Sequence, residues 1–169
     1  MKRSLCILAA TLVWTSVAAA DELTVEMYRI DEKGMGGTIG TILANDSPAG
    51  LALAPNLKGL SPGQHGFHVH ENASCGPGEK DGKVQAGLAA GSHFDPDKTG
   101  KHLGPTGAGH LGDLPPLTVG EDGTAKATVT APRLHAKDLK GRALVIHAEA
   151  DNFADKPGGP RIACGTVTQ

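Results

Sequence analysis

This sequence predicts an all-β chain, an antiparallel sandwich or barrel of about eight short strands with two long loops. Three observations carry that expectation. Apolar and polar residues alternate over short runs: Leu23, Val25 and Met27 interleave with Thr24, Glu26 and Tyr28, the period-two pattern of a half-buried strand. Turn-forming residues, 24 Gly and 11 Pro among 169, interrupt those runs at short intervals. Beyond residue 20, only Ala136 to Lys140 reads as a helical turn.

The first twenty residues stand apart. Lys2 and Arg3 precede an apolar run from Leu5 to Val17, then Ala18-Ala19-Ala20 and the acidic pair Asp21-Glu22. This predicts a secretory signal peptide over residues 1–20, cut after Ala20, and one domain over residues 21–169. The apolar run is too short to span a bilayer, and no other stretch comes close, so no membrane contact is expected after cleavage. Losing Lys2 and Arg3 takes the basic count from 16 to 14 against 18 acidic residues, a formal charge of −4. That balance disfavours nucleic acid as a partner. Cys6 leaves with the signal. Cys75 and Cys164 remain, and in an exported protein such a pair reads first as a disulfide. Closing a loop of that size stabilises by about 4–5 kcal/mol in the chain-entropy estimate, less any native strain.

After the first strand, Gly34, Gly36 and Gly37 read as a turn. Thr38 to Leu43 and Gly50 to Ala54 read as strands separated by Asn45-Asp46-Ser47-Pro48. Gly59, Pro62 and Gly63 then break the chain before Gly66-Phe67-His68-Val69-His70. In a strand, His68 and His70 share one face while Phe67 and Val69 share the other. Two imidazoles roughly 7 Å apart along a strand can lean onto one metal ion while the apolar pair anchors in a core. From Glu71 to Pro116 no period persists, and so long an irregular stretch needs something to order it. It contains Cys75, His93, His102, His110 and Asp113, which suggests a disulfide and metal. Strands resume at Leu117 to Val119 and Ala125 to Thr130, around the turn at Asp122-Gly123. Ala143 to His147 is a buried strand, Asp151 to Pro160 a second, polar loop, and Ile162 to Thr168 the last strand.

The eight histidines are His65, His68, His70, His93, His102, His110, His135 and His147. Six sit in motif-like settings: GFHVH, GSHFDP, GKHLGP, GHLGD and LVIHAEADN. His65 reads as a backbone-bonded structural histidine and His135 as an exposed one. Imidazoles with one carboxylate, Asp113, suit zinc or copper; calcium and magnesium prefer oxygen. An HxH pair alone also fits a zinc lyase or hydrolase, and the whole set also fits a metal-storage protein.

The ordered set resembles the copper/zinc superoxide dismutase family. GFHVHE, a Cys, three loop histidines with Asp, GRALVIHAEAD and GPRIACG follow the family's motifs in order across nearly the whole chain after residue 20. The signal peptide, AAGSHFDPDKTGKHLGP and GAGHLGDLPPL are similar to its bacterial periplasmic branch. The resemblance implies a Greek-key β-barrel, an architecture in which that family is a standard member. It implies disproportionation of superoxide to dioxygen and hydrogen peroxide by alternate reduction and oxidation of a histidine-bound copper beside a structural zinc, protecting against extracytoplasmic superoxide.

It also implies roles. His68, His70, His93 and His147 would hold copper; His93, His102, His110 and Asp113 would hold zinc, with His93 bridging and taking part in proton transfer. Four nitrogens suit tetragonal Cu(II), and a closed N3O set suits structural zinc. Asp151 would tether one ligand of each metal through their free ring N–H groups. Arg161 would lie beside the copper and dock superoxide, with Lys80, Lys83 and Lys156 as weaker steering candidates. Cys75 and Cys164 match the family's disulfide. The resemblance admits a monomer or a homodimer. The loop from Asp151 to Pro160 is a few residues shorter than the branch usually carries, which bears on the channel rim and not on the metal ligands.

Overall fold

The alternation at the start of the chain becomes β1, Leu23–Asp31, in which Val25 and Met27 are buried and Thr24 and Glu26 exposed. The structure is a computed structural model and describes residues 22–153 and 158–168; the expected signal peptide and Lys156 lie outside the described residues. β1 pairs with β2, Gly34–Ser47, and β2 with β3, Gly50–Lys58. The glycines expected to form a turn lie within β2 instead, and the chain reverses at Glu32-Lys33. Glycine has no side chain to show alternation, so a glycine-rich strand start looks like a loop in sequence. At Gly40 the residue is demanded by space: φ is 127° and a Cβ would lie 2.0 Å from the carbonyl oxygen of Asn56 on β3.

The remaining strands are β4 (Gly63–His65), β5 (Phe67–His70), β6 (Gly78–Lys80), β7 (Lys83–Gln85), β8 (Leu117–Val119), β9 (Thr124–Ala125), β10 (Val129–Ala131), β11 (Arg142–His147) and β12 (Arg161–Val167). The run expected over Ala125 to Thr130 is thus two strands, both paired with β3. A 3-10 turn spans Ala136–Leu139, at the expected helical position, with His135 at its N-cap. The main antiparallel sheet has eight strands in the order β10-β3-β2-β1-β12-β11-β5, with β9 also on β3; β4-β8 and β6-β7 form two small sheets. The non-consecutive neighbours β1–β12 and β11–β5 are Greek-key crossovers in a curled, barrel-like sheet.

One apolar cluster fills the inside of this sheet and includes Val25, Met27, Ile42, Leu53, Phe67, Val69, Leu144 and Ile146. A second lies on the other side, with Ile30, Cys75, Ala90, Ala143, Val145 and Cys164. Period-two alternation splits β5 and β11 between them. Phe67, Val69, Leu144 and Ile146 face the core; His68 and His70 stand opposite Val145 and Ala143 on the outer face. That outer face is buried because the long segment 71–116 lies over it. The segment contains the β6-β7 hairpin and a 3-10 turn at Leu88–Ala90, which no sequence period announced. Its backbone closes against β5: Phe94 N–H donates to Val69 O at 2.8 Å, Val69 N–H to Gly112 O at 2.9 Å, and Leu114 N–H to Phe67 O at 3.2 Å. The Cys75–Cys164 disulfide, Cα–Cα 5.7 Å, fastens the segment to β12. Among the described residues, no helix is long and apolar enough to cross a membrane.

Candidate metal centre

Two groups of side chains converge where segment 71–116 covers β5 and β11. His68, His70, His93 and His147 offer ligand atoms within 4.8 Å of one another, as do His93, His102, His110 and Asp113. His93 belongs to both. Strand geometry delivers His68 and His70 from β5 and His147 from the end of β11, while His93 is brought over β5 by a bridge to His70 and Asp113 by a bridge to His68.

Hydrogen bonds select which ring nitrogen each histidine has free. His70 Nδ1 donates to Gly91 O at 3.0 Å and His147 Nδ1 to Gly159 O at 2.8 Å. Their Nε2 atoms, carrying bare lone pairs in the neutral rings, face each other 3.5 Å apart. Two lone pairs in that relation repel unless a cation lies near both. His68 Nε2 donates to Asp151 at 2.9 Å, leaving Nδ1 buried with no hydrogen-bond partner. His68 stacks on His93 with ring centroids 3.9 Å apart. Burial, above all, pushes the imidazoles of His68 and His70 well below the ordinary histidine range. The neighbouring His93 and His147 rings add to this for His68, and the Arg161 guanidinium adds to it for His70. His147 is pushed down to about 4, again chiefly by burial. Neutral imidazoles are the form that binds metal.

Around Asp113 the pattern repeats with a carboxylate. Nδ1 of His102, His93 and His110 lie 2.9, 3.0 and 3.3 Å from the single oxygen Oδ1. Burial works to raise Asp113, but the His102 and His93 hydrogen bonds outweigh it and hold the carboxyl below the usual carboxylate range. For His102 burial pulls the other way and is likewise outweighed, here by Asp113 and Asp151, leaving it at about 9. Three ring nitrogens crowding one oxygen are poor hydrogen-bond geometry and a good closed N3O donor set for a tetrahedral ion. His102 Nε2 and His110 Nδ1 are buried without hydrogen-bond partners, as is Asp151 Oδ1, 3.6 Å from His102 Nε2. The orphaned atoms and the donor chemistry fit two cations: a softer, nitrogen-preferring one between His68, His70, His93 and His147, and zinc at His93, His102, His110 and Asp113.

Arg161 opens β12 and sets its guanidinium beside this group. Nη1 donates to Gly87 O at 2.5 Å and Nη2 to Gly91 O at 2.6 Å, the same carbonyl that accepts from His70. A groove of about 1070 Å³ has Lys33, Lys83 and Arg161 among its lining residues. His65 stays out of both groups, its ring nitrogens 2.7 Å from His147 O and 2.8 Å from Ser61 O, a structural histidine as expected. No sequence signal marks the carbonyls of Gly91 and Gly159 that orient His70 and His147. None marks Phe153, whose ring lies 5.2 Å from that of His102, or Arg133, which donates to loop carbonyls near His110.

Comparison with known proteins points one way. The family model for copper/zinc superoxide dismutase (SODC) matches residues 37–167. The chain is 46% identical to superoxide dismutase [Cu-Zn] of Brucella melitensis over 173 residues, covering 99% of each. It is similar to the solved Cu/Zn superoxide dismutase of Brucella abortus, with TM-score 0.85, 48% identity and coverage of 87% of this chain and 99% of that one. The solution structure of the monomeric copper, zinc superoxide dismutase from Salmonella enterica is also similar, with TM-score 0.78, 49% identity and coverage of 87% and 99%.

Proposed function

This chain belongs to the copper/zinc superoxide dismutase family, and we propose which of its residues carry the family's reaction. That reaction is the disproportionation of superoxide to dioxygen and hydrogen peroxide, with copper and zinc as the metals. Copper bound there would supply the one-electron chemistry. His68 through Nδ1, and His70 and His147 through Nε2, would hold it with His93. His93, His102, His110 and Asp113 would hold zinc.

The observation that carries the assignment is the pair of Nε2 atoms of His70 and His147. They face each other at 3.5 Å with both ring protons committed to backbone carbonyls. A cation held between them makes that arrangement favourable.

The other residues follow from their contacts. His93 has Nδ1 toward Asp113, so its Nε2 is the atom on the copper side and is positioned to take up and return a proton there. Asp151 holds His68 in the tautomer with Nδ1 free and sits against His102, so one carboxylate orients a ligand of each metal. Arg161 brings positive charge beside His70, while its backbone acceptors fix its direction; it attracts and docks the anionic substrate. Superoxide dismutase is counted among enzymes limited by encounter, so such a charge acts on the step that sets the rate.

Residues 1–20 are proposed to export the chain to the periplasm, leaving 21–169 as the mature domain. All seven proposed ligands come from one chain, so the site is complete without a second copy, and sedimentation of the mature protein distinguishes monomer from homodimer. The test of the assignment is metal analysis with electron spin resonance and a superoxide-decay assay. The copper-loaded protein should give a tetragonal copper signal that activity tracks. Equal turnover by protein loaded with zinc alone would remove copper from the reaction.

A further inference from the structure

The zinc ligands His102 and His110 sit on a loop with few backbone partners in the barrel, and the side chain of Arg133, from elsewhere in the fold, grips its backbone carbonyls. Arg133 lies between β10 and the 3-10 turn at Ala136–Leu139. Its Nη1 donates to Gly107 O and lies 3.4 Å from His110 O, and its Nη2 donates to Gly109 O at 3.0 Å. Three carbonyls of one short segment therefore turn toward one guanidinium. Carbonyl oxygens converging in this way repel one another unless a donor or cation lies among them, and a planar fork meets several at once. Arg133 makes no ion pair among the described residues, so these dipoles are what its charge is set against.

Both ends of the grip are anchored by packing and hydrogen bonds. On the barrel side, Ala131 and Leu134 are buried in the core, and Leu51 N–H donates to Leu134 O at 2.9 Å, tying the connection to β3. On the loop side, residues 101–104 and 107–110 press backbone to backbone. His110 N–H donates to Lys101 O at 2.8 Å, and a Cβ on Gly107 or Gly109 would lie 2.4 Å from Leu103 O or 2.3 Å from Lys101 O. Holding 107–110 thus holds His102 and His110 together. The copper-side histidines are supported differently, His68 and His70 by β5 and His147 by β11.

We propose that Arg133 is the positioning residue of the zinc site: by collecting the carbonyls of Gly107, Gly109 and His110 it fixes the loop that presents His102 and His110, and so governs zinc retention without governing copper retention. The proposal rests on the zinc assignment made above. It is tested on the full mature protein with Arg133→Met, which keeps an apolar stem and removes the fork, and Arg133→Lys, which keeps the charge.

Zinc transfer to a chromogenic chelator, copper retention under the same chelator, and the visible spectrum of Co(II) bound in place of zinc are the readouts. Arg133→Met should release zinc about 10–100-fold faster, the usual effect of losing a group that orients metal ligands, with copper release within about twofold of the parent. Its cobalt spectrum should shift or broaden, and Arg133→Lys should recover part of the retention. If Arg133→Met fails to fold, Arg133→Lys carries the comparison and should still lose zinc faster than copper. Zinc release at the parent rate, or equal loss of both metals, would overturn the proposal. A parent protein that takes up neither zinc nor cobalt would overturn the zinc assignment itself, and this proposal with it.

Discussion

The carboxylate of Asp151 lies 2.9 Å from Nε2 of His68 with both side chains buried, although 83 residues separate them. That contact commits the imidazole proton to Asp151 and leaves Nδ1 buried without a hydrogen-bond partner, free for the proposed metal. Asp151→Asn should lower copper and zinc retention by about 10–100-fold, since the charge that fixes the ring is gone. Gly66→Ala should do the same without touching the carboxylate, because a Cβ there would lie 2.6 Å from Asp151 Oδ1. Dialysis against a chelator followed by metal analysis reads both; unchanged retention in the two variants would remove Asp151 from the support of the site.

The disulfide gives the second expectation. Cys75 and Cys164 join segment 71–116 to β12 across 89 residues. Cys75→Ser should cost about 2–5 kcal/mol in urea unfolding of the metal-free protein, because the unfolded chain regains the freedom the cross-link removed. Metal uptake should also slow, since Cys75 packs with Ala90 just ahead of His93. A variant with the parent's unfolding midpoint would contradict this.

Arg161 is the third. With a formal charge of −4 expected for residues 21–169, the protein as a whole repels an anion, and local charge must reverse that near the metal. Arg161→Ala should slow superoxide decay by about tenfold or more with metal content intact, Arg161→Glu should be slower still, and Arg161→Lys should fall between Ala and the parent. The parent's rate should drop as salt rises, since exposed charges are screened over roughly 8–10 Å. Stopped-flow decay at matched metal loading orders the series; a parent-like rate for Arg161→Glu would exclude Arg161 from docking.

The fourth concerns acid. In the metal-free protein burial holds His68, His70, His93 and His147 below the ordinary value of about 6.5, His147 at about 4. Below pH ~6.5 the unfolded chain binds protons that the folded chain refuses. Stability is therefore full above that pH and falls as pH drops through the folded values, at about 1.4 kcal/mol per pH unit for each extra proton. His102 has the opposite sign: raised to about 9, it stabilises fully below pH ~6.5 and loses that contribution as pH rises through 9. Urea midpoints of the metal-free protein at pH 5, 7 and 9.5 should be highest near 7, and equal midpoints at 5 and 7 would contradict the neutral buried cluster.

Much of this was legible in residues alone because its cause is local. Period two places His68 and His70 on one face and Phe67 and Val69 on the other, whatever the rest of the chain does. The same rule identifies β1, the continuous apolar run from Ala143 to Ile146 identifies β11 as a buried strand, and the pair Cys75 and Cys164, in a chain expected to be exported, reads as a disulfide. Where burial has no period, the reading fails. β2 begins earlier than its side chains suggest because glycines carry no alternation, and the hairpin β6-β7 has too few buried residues to show one.

Residue types and local periodicity are enough to mark the candidate ligands, six clustered histidines with Asp113, and the strands that carry three of them. Which nitrogen each ring leaves free emerges only on folding, because it depends on acceptors far along the chain: Gly91 for His70, Gly159 for His147 and Asp151 for His68. The grip of Arg133 on the loop of His102 and His110 likewise emerges only on folding. Local sterics and periodicity act between neighbours in sequence, whereas the hydrogen bonds that orient a ring act between atoms that only folding brings within 3 Å.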